Sequence, residues 1–172
     1  TEVTLTATPA EGYHFVGWSG DVTSTDNPLT LTIDSDKTIT ATFAINTYTV
    51  TFDSQGGSEV EPQIVSYGEK VVKPADPTKT GYTFAGWYKD ANFTEAWDFD
   101  TDVVTSDITL YAKWTINTYT LTVTVDPEDS GTVSLSPEPT DGTYDYGTEV
   151  TLTATPAEGY HFVGWSGDVT ST

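Results

Sequence analysis

The sequence predicts a mainly β fold assembled from short antiparallel strands. Three observations carry that prediction. Apolar residues alternate with threonine in run after run: Tyr48–Phe52, Leu29–Ile33, Ile39–Phe43 and Tyr119–Val125. This is the period of a strand with one buried and one wet face, and β-branched threonine suits a pleated surface. Turn residues separate the runs at Gln55–Gly57, Asp76–Pro77, Asp129–Gly131 and Asp141–Gly142. No stretch sustains the 3.6-residue period of a helix. Only Phe93–Ser106 hints at helical structure, at most one short turn around Asp102–Thr105.

The strands fall into repeats. Thr1–Thr25 and Thr148–Thr172 are identical at all 25 positions, so the long period is 147 residues. Identity over that span marks a tandem duplication, the signature of an array. A weaker repeat lies inside it. GYHFVGW at Gly12–Trp18 returns as GYTFAGW at Gly81–Trp87 and as GYHFVGW at Gly159–Trp165. INTYT stands at Ile45–Thr49 and Ile116–Thr120, and YGEKV at Tyr67–Val71 matches YGTEV at Tyr146–Val150. Each long period therefore holds two related modules of 71 and 76 residues. Residues 45–115 form one complete module. Residues 1–44 are the back half of a second type, and 116–172 are its front half.

Each GYxFxGW element places large rings at near-alternate positions. The predicted structural core is Tyr13, Phe15 and Trp18; Tyr82, Phe84, Trp87 and Trp114; and Tyr160, Phe162 and Trp165. Such rings bury much area in a small module. Gly86, just before Trp87, signals a bulge or a close backbone approach. The competing reading makes some rings an exposed platform for sugar stacking or partner binding.

Composition excludes several functions. The 172-residue chain carries 26 acidic residues against six lysines and no arginine, a net charge of −20. Phosphate contacts need cations, so nucleic acid is an unfavourable partner, and an anionic membrane surface repels the chain. No apolar run approaches the length of a membrane-spanning helix. There is no cysteine, hence no disulfide, thiolate metal site or thiol nucleophile. An aromatic content of 13% argues against disorder.

Candidate chemistry is sparse. Histidine occurs only at His14 and His161, one repeat position, which reads as an exposed strand residue rather than a ligand or triad base. Asp98, Asp100 and Asp102 alternate, and a calcium ion among them competes with a solvated face or turn capping. Asp34 and Asp36 read as a turn. Lys37, Lys73 and Lys113 are the donors an isopeptide crosslink would use. No catalytic residue, cofactor or resident metal is expected, and no convergent polar set suggests an enzyme.

Tyr48–Gly57, Tyr67–Asp90 and Trp97–Trp114 closely resemble the Listeria–Bacteroides repeat, also called the internalin B-repeat. Thr30–Ala44 and Ser130–Asp168 resemble its divergent members, which lack the WDF…T segment. The resemblance implies small β-grasp-like (ubiquitin-like) modules. It also implies a place in secreted or wall-anchored bacterial surface proteins, with no catalytic residues. The expected function is a spacer or fibre element of an extracellular stalk, adhesin or filament, its acidic surface open to stiffening by divalent cations. The alternative is an adhesive repeat for glycans or a host or matrix protein, with Trp97 or Tyr88 exposed as the contact. The expected partners are neighbouring copies, head to tail. Thr1–Ala44 of one copy would complete the module opened by Ile116–Thr172 of the preceding one.

Overall fold

A computed structural model describes residues 1–169. It is all β: no helix occurs among the described residues. The chain divides into two compact units. One comprises Thr1–Lys79 with Phe84–Trp114, and the other Thr80–Thr83 with the residues from Thr115 onward.

The first unit opens with four strands between Glu2 and Ile45. Strand β1 (Glu2–Leu5) pairs antiparallel with β3 (Leu29–Thr32), and β2 (Tyr13–Gly20) pairs antiparallel with β4 (Ile39–Ile45). The β2–β4 register shifts between Phe15 and Gly17, a bulge inside the GYHFVGW element. It turns Trp18 inward to join Ala7 and Leu29 in a small core, with Leu5, Phe15 and Ile39 packed around it. The indole N–H of Trp18 donates to the Asp26 carbonyl at 2.8 Å. Asn27 donates to the Ala7 carbonyl and accepts from its amide, at 2.7 and 2.9 Å. This side chain does the work of a missing strand neighbour.

A four-stranded sheet follows. Strands β5 (Thr47–Asp53), β6 (Gln63–Ser66), β7 (Tyr82–Tyr88) and β8 (Ile108–Ile116) form one sheet in the order β6-β5-β8-β7. The β5–β6 pair is antiparallel, but β5 and β8 run parallel, Val50 opposite Ile108. The expected antiparallel strands are found, with the β5–β8 pair as a parallel exception. The first and last strands of a module are too far apart in sequence for a tight turn, so β8 can reach the centre of the sheet by a long crossover. The core contains Val50, Phe52, Val65, Val71, Trp87, Trp97, Val104, Leu110 and Ala112. In place of a helical turn at Asp102–Thr105, one turn closes at Asp98–Asp102, with the Asp102 amide donating to the Asp98 carbonyl at 2.8 Å.

In the second unit β9 (Thr118–Tyr119) pairs with β11 (Tyr144–Asp145), and β10 (Gly131–Ser136) pairs with β12 (Thr151–Pro156), both antiparallel. The Asp141–Gly142 turn has both residues at positive φ, 49° and 77°, as a tight hairpin turn demands. The predicted strand Tyr119–Val125 is realised only as far as Tyr119. Its counterpart β5 lies between two strands. Among the described residues, 120–125 have no strand equivalent to β8 beside them, and an unladdered backbone turns to water instead. The tail of the exact repeat, residues 170–172, lies outside the described residues.

Candidate functional site

The predicted core rings separate by environment. Trp18 and Trp87 are buried, at 8% and 2% exposure. Phe15, Tyr82, Phe84, Trp114 and Trp165 are half-buried. Tyr13, Tyr160 and Phe162 lie at the surface, so the core is narrower than the motif. Tyr13 begins its strand and faces outward. Tyr160 and Phe162 belong to a segment that, among the described residues, has no strand like β4 alongside it. Phe84 stacks edge-on against Trp87 and Trp114, with centroids 5.4 and 5.5 Å apart, and Trp87 against Phe52 at 4.9 Å. Trp114 donates its indole N–H to the Ser54 carbonyl at 2.8 Å.

Trp97 is not the exposed contact that an adhesive repeat would use. It is 8% exposed and part of the core. Tyr88 is half-buried, edge-on to Phe93 with Lys113 Nζ over its face at 5.0 Å. A shallow groove runs past Phe84, Trp87, Tyr88, Trp97 and Phe99 to Lys73 and Asp76. The indole nitrogens of Trp87 and Trp97 are buried with no protein acceptor.

The acidic run is engaged in local structure. Asp98 accepts the Asp100 amide and Asp102 accepts the Asp98 amide, each at 2.8 Å. The Asp100 amide, with the Thr101 side chain behind it, holds the Asp98 carboxyl below its ordinary range. Asp102 also takes Lys89 Nζ at 3.0 Å, and Glu95 takes it at 2.6 Å. The Glu95 bond leads in raising the lysine's affinity for its proton. No group of three or more His, Asp or Glu side chains converges as metal ligands among the described residues. Of the isopeptide candidates, Lys37 pairs with Asp34 at 2.8 Å and Lys113 lies on Tyr88.

The most organised polar geometry sits where repeat elements meet, and the sequence did not flag it as a site. In the first unit the Asn46 amide donates to the Gly12 carbonyl at 2.8 Å, and the Tyr67 amide donates to the Asn46 carbonyl at 2.8 Å. His14 Nδ1 donates to Asn46 Oδ1 at 2.7 Å, so this histidine has a structural partner. The Tyr67 ring lies flat on Gly12, where an added Cβ would sit 2.1 Å from Tyr67 Cδ1. Tyr67 donates its hydroxyl to Glu11 at 2.5 Å. That hydrogen bond, with desolvation and the Glu11 charge behind it, raises the phenol above its usual value. The backbone bonds are each worth about 0.5–1.5 kcal/mol.

The fold defines a tandem β-repeat protein, and comparison with known families agrees. The Listeria-Bacteroides repeat domain matches residues 48–113, and the divergent InlB B-repeat domain matches residues 1–47 and 121–172. The chain belongs to this B-repeat family. It is 39% identical to a protein of Evansella cellulosilytica named as a membrane protein, over 91% of this chain and 24% of the relative. A second protein of that organism, named as a Gly-rich membrane protein, is 38% identical over 92% of this chain and 18% of its own length. Internalin H of Listeria monocytogenes is 40% identical over 65% of this chain and 21% of its own length. The chain thus spans about a quarter or less of each relative. No helix among its described residues is long and apolar enough to cross a membrane.

Proposed function

We propose that this chain is a structural segment of an extracellular bacterial surface protein, a spacer or fibre element that projects other domains. The observation that carries this reading is the 147-residue period with 25 identical positions at its ends. A chain that repeats itself this closely multiplies length, and each module then needs only a core of its own and a joint to its neighbour. The complete module supports it: Trp87, Trp97 and Phe52 are spent on internal packing. Relatives named as membrane proteins and as an internalin support a place at the cell surface. The strand order, with first and last strands parallel at the sheet centre, supports a β-grasp-like module without its helix.

The partners in this reading are copies of the repeat. Tyr160–Gly167 repeats the letters of β2, and β2 is completed by β4. Ile39–Ile45 of a following copy, exchanged away from its own β2, is therefore the strand that Tyr160–Gly167 accepts. Head-to-tail association of the 172-residue chain, rising with concentration in sedimentation velocity, is the expected result. A monomer at every concentration refutes pairing between chains. For the spacer function itself, arrays of increasing repeat number should lengthen by a constant increment in small-angle scattering. A maximum dimension that stops growing refutes it.

The groove beside Phe84 and Trp87 supports a second reading, an adhesive repeat for glycans. Quenching of tryptophan fluorescence by a glycan panel tests it, and unaltered emission across the panel removes it.

A further inference from the structure

The joint at Gly12 is not unique. In the second unit the Asn117 amide donates to the Gly81 carbonyl at 2.9 Å, and the Tyr146 amide donates to the Asn117 carbonyl at 2.8 Å. The Tyr146 ring covers Gly81, where an added Cβ would lie 1.9 Å from Tyr146 Cδ1. The Thr83 hydroxyl donates to Asn117 Oδ1 at 2.7 Å. Thr83 stands at the His14 position of its repeat, Asn117 at the Asn46 position and Tyr146 at the Tyr67 position. All four elements recur, although GYHF has become GYTF and a hydroxyl has replaced an imidazole.

Physical reasons explain each residue. The turn glycine has φ of +78° at Gly12 and +79° at Gly81, which side chains resist. Removing its Cβ also lets a phenol ring lie on the backbone. Asparagine supplies a backbone amide donor, a backbone carbonyl and an uncharged side-chain oxygen that accepts from the preceding repeat. Tyrosine supplies the flat apolar face, with its own amide closing the chain of bonds.

From this we infer that GY[H/T] on one repeat and IN…YG on the next form the two halves of a clamp, and that Ala157–His161 is an acceptor half whose occupant is the Asn–Tyr pair of a following repeat. The inference rests on the tandem-array reading. Ala157–His161 repeats Ala10–His14 letter for letter. It already holds the same turn: the Tyr160 amide donates to Ala157 at 3.1 Å, as the Tyr13 amide does to Ala10 at 3.1 Å. Gly159 has φ of +84°, and its Cβ position faces open space. The flanking Tyr160, Phe162 and Val163 are exposed at 54%, 44% and 78%. The acceptor is therefore formed before its occupant arrives, which lowers the ordering cost of docking the next repeat.

The test reads ring currents at glycine α-protons, using glycine-labelled protein. In the 172-residue chain, held dilute enough to be monomeric in sedimentation, Gly12 and Gly81 should resonate upfield and Gly159 at an ordinary position. Tyr67→Ala should release Gly12 and leave Gly81 upfield, an internal control for folding. In an extended chain where Thr172 is followed by a second Asp26–Thr172, Gly159 should move upfield with the others. Gly159→Ala should then lower the melting midpoint as far as Gly12→Ala does, whereas in the 172-residue chain it should cost only its left-handed strain. Gly159 unmoved in the extended chain overturns the acceptor. Gly12 unmoved by Tyr67→Ala overturns the clamp. Either result can occur while arrays still lengthen in constant steps, so the clamp and the spacer reading fail separately.

Discussion

Replacing Trp87 with alanine tests the claim that the GYxFxGW rings are internal structure. Trp87 is 2% exposed and touches Phe52 and Phe84 edge-on. A ring of this kind buries roughly 150–250 Å², worth about 4–6 kcal/mol at 25 cal/mol per Å². Partial collapse of the cavity brings the expected loss to about 3–5 kcal/mol. A module of this size has on the order of 4–10 kcal/mol in total, so Trp87→Ala should leave it near its unfolding threshold. The assay is urea denaturation followed by amide exchange of β5 and β8, which report this module alone. The matched control is Tyr160→Ala, at a ring of the same motif that is 54% exposed, and its cost should stay within about 0.5 kcal/mol. A loss below about 1 kcal/mol for Trp87→Ala would refute the reasoning. The ring would then belong to a surface whose purpose is binding.

Three further outcomes follow from the polar contacts. Tyr67 is a phenol whose folded pKa is raised by its bond to Glu11, so its contribution is complete below the ordinary tyrosine value of about 10 and fades as pH rises through the folded value. Alkaline melting curves should therefore separate the natural chain from Tyr67→Phe, the natural chain losing its advantage as the phenol ionises; parallel curves at all pH values contradict this. Asp90 accepts from the amides of Asn92, Thr94 and Glu95 and from the Thr94 hydroxyl. Burial works against its charge, but these donors outweigh it and lower its pKa. Asp90→Ala should speed amide exchange across 92–95 with little change in the sheet, and unchanged exchange there would show that the loop stands without it. Calcium should leave the melting midpoint unchanged beyond an ionic-strength effect, because Asp98 and Asp102 are engaged by backbone amides and Lys89. A saturable rise would mean those carboxylates turn outward to bind it.

Much of the architecture was legible in the residues. Alternation with threonine marked β3, β4 and β5, and the glycine and aspartate signals at Gln55–Gly57, Asp129–Gly131 and Asp141–Gly142 mark turns with left-handed residues in the structure. Such signals are local, and local chemistry decides them. The parallel β5–β8 pair was not legible, because strand direction depends on a crossover and not on side-chain period. Nor was the joint at Gly12. Its motifs, GY, INTYT and YG, were visible as repeats, but Gly12, Asn46 and Tyr67 lie too far apart in sequence for any spacing rule to unite them.

The duplicated segment separates the two kinds of information most cleanly. Letters alone determined the apolar alternation, the left-handed glycine and the tight turn before it, and both copies keep that turn: Gly12 and Gly159 share its φ, and Tyr13 and Tyr160 share its hydrogen bond. Whether the next eight residues become a strand was decided elsewhere. Tyr13–Gly20 is a strand because β4 ladders with it, whereas the described residues hold no such neighbour for Tyr160–Gly167, which is unpaired over most of its length. A turn satisfies its own backbone within a few residues. A strand must find its hydrogen-bond partners in another part of the chain, so identical letters take different structures when that part differs.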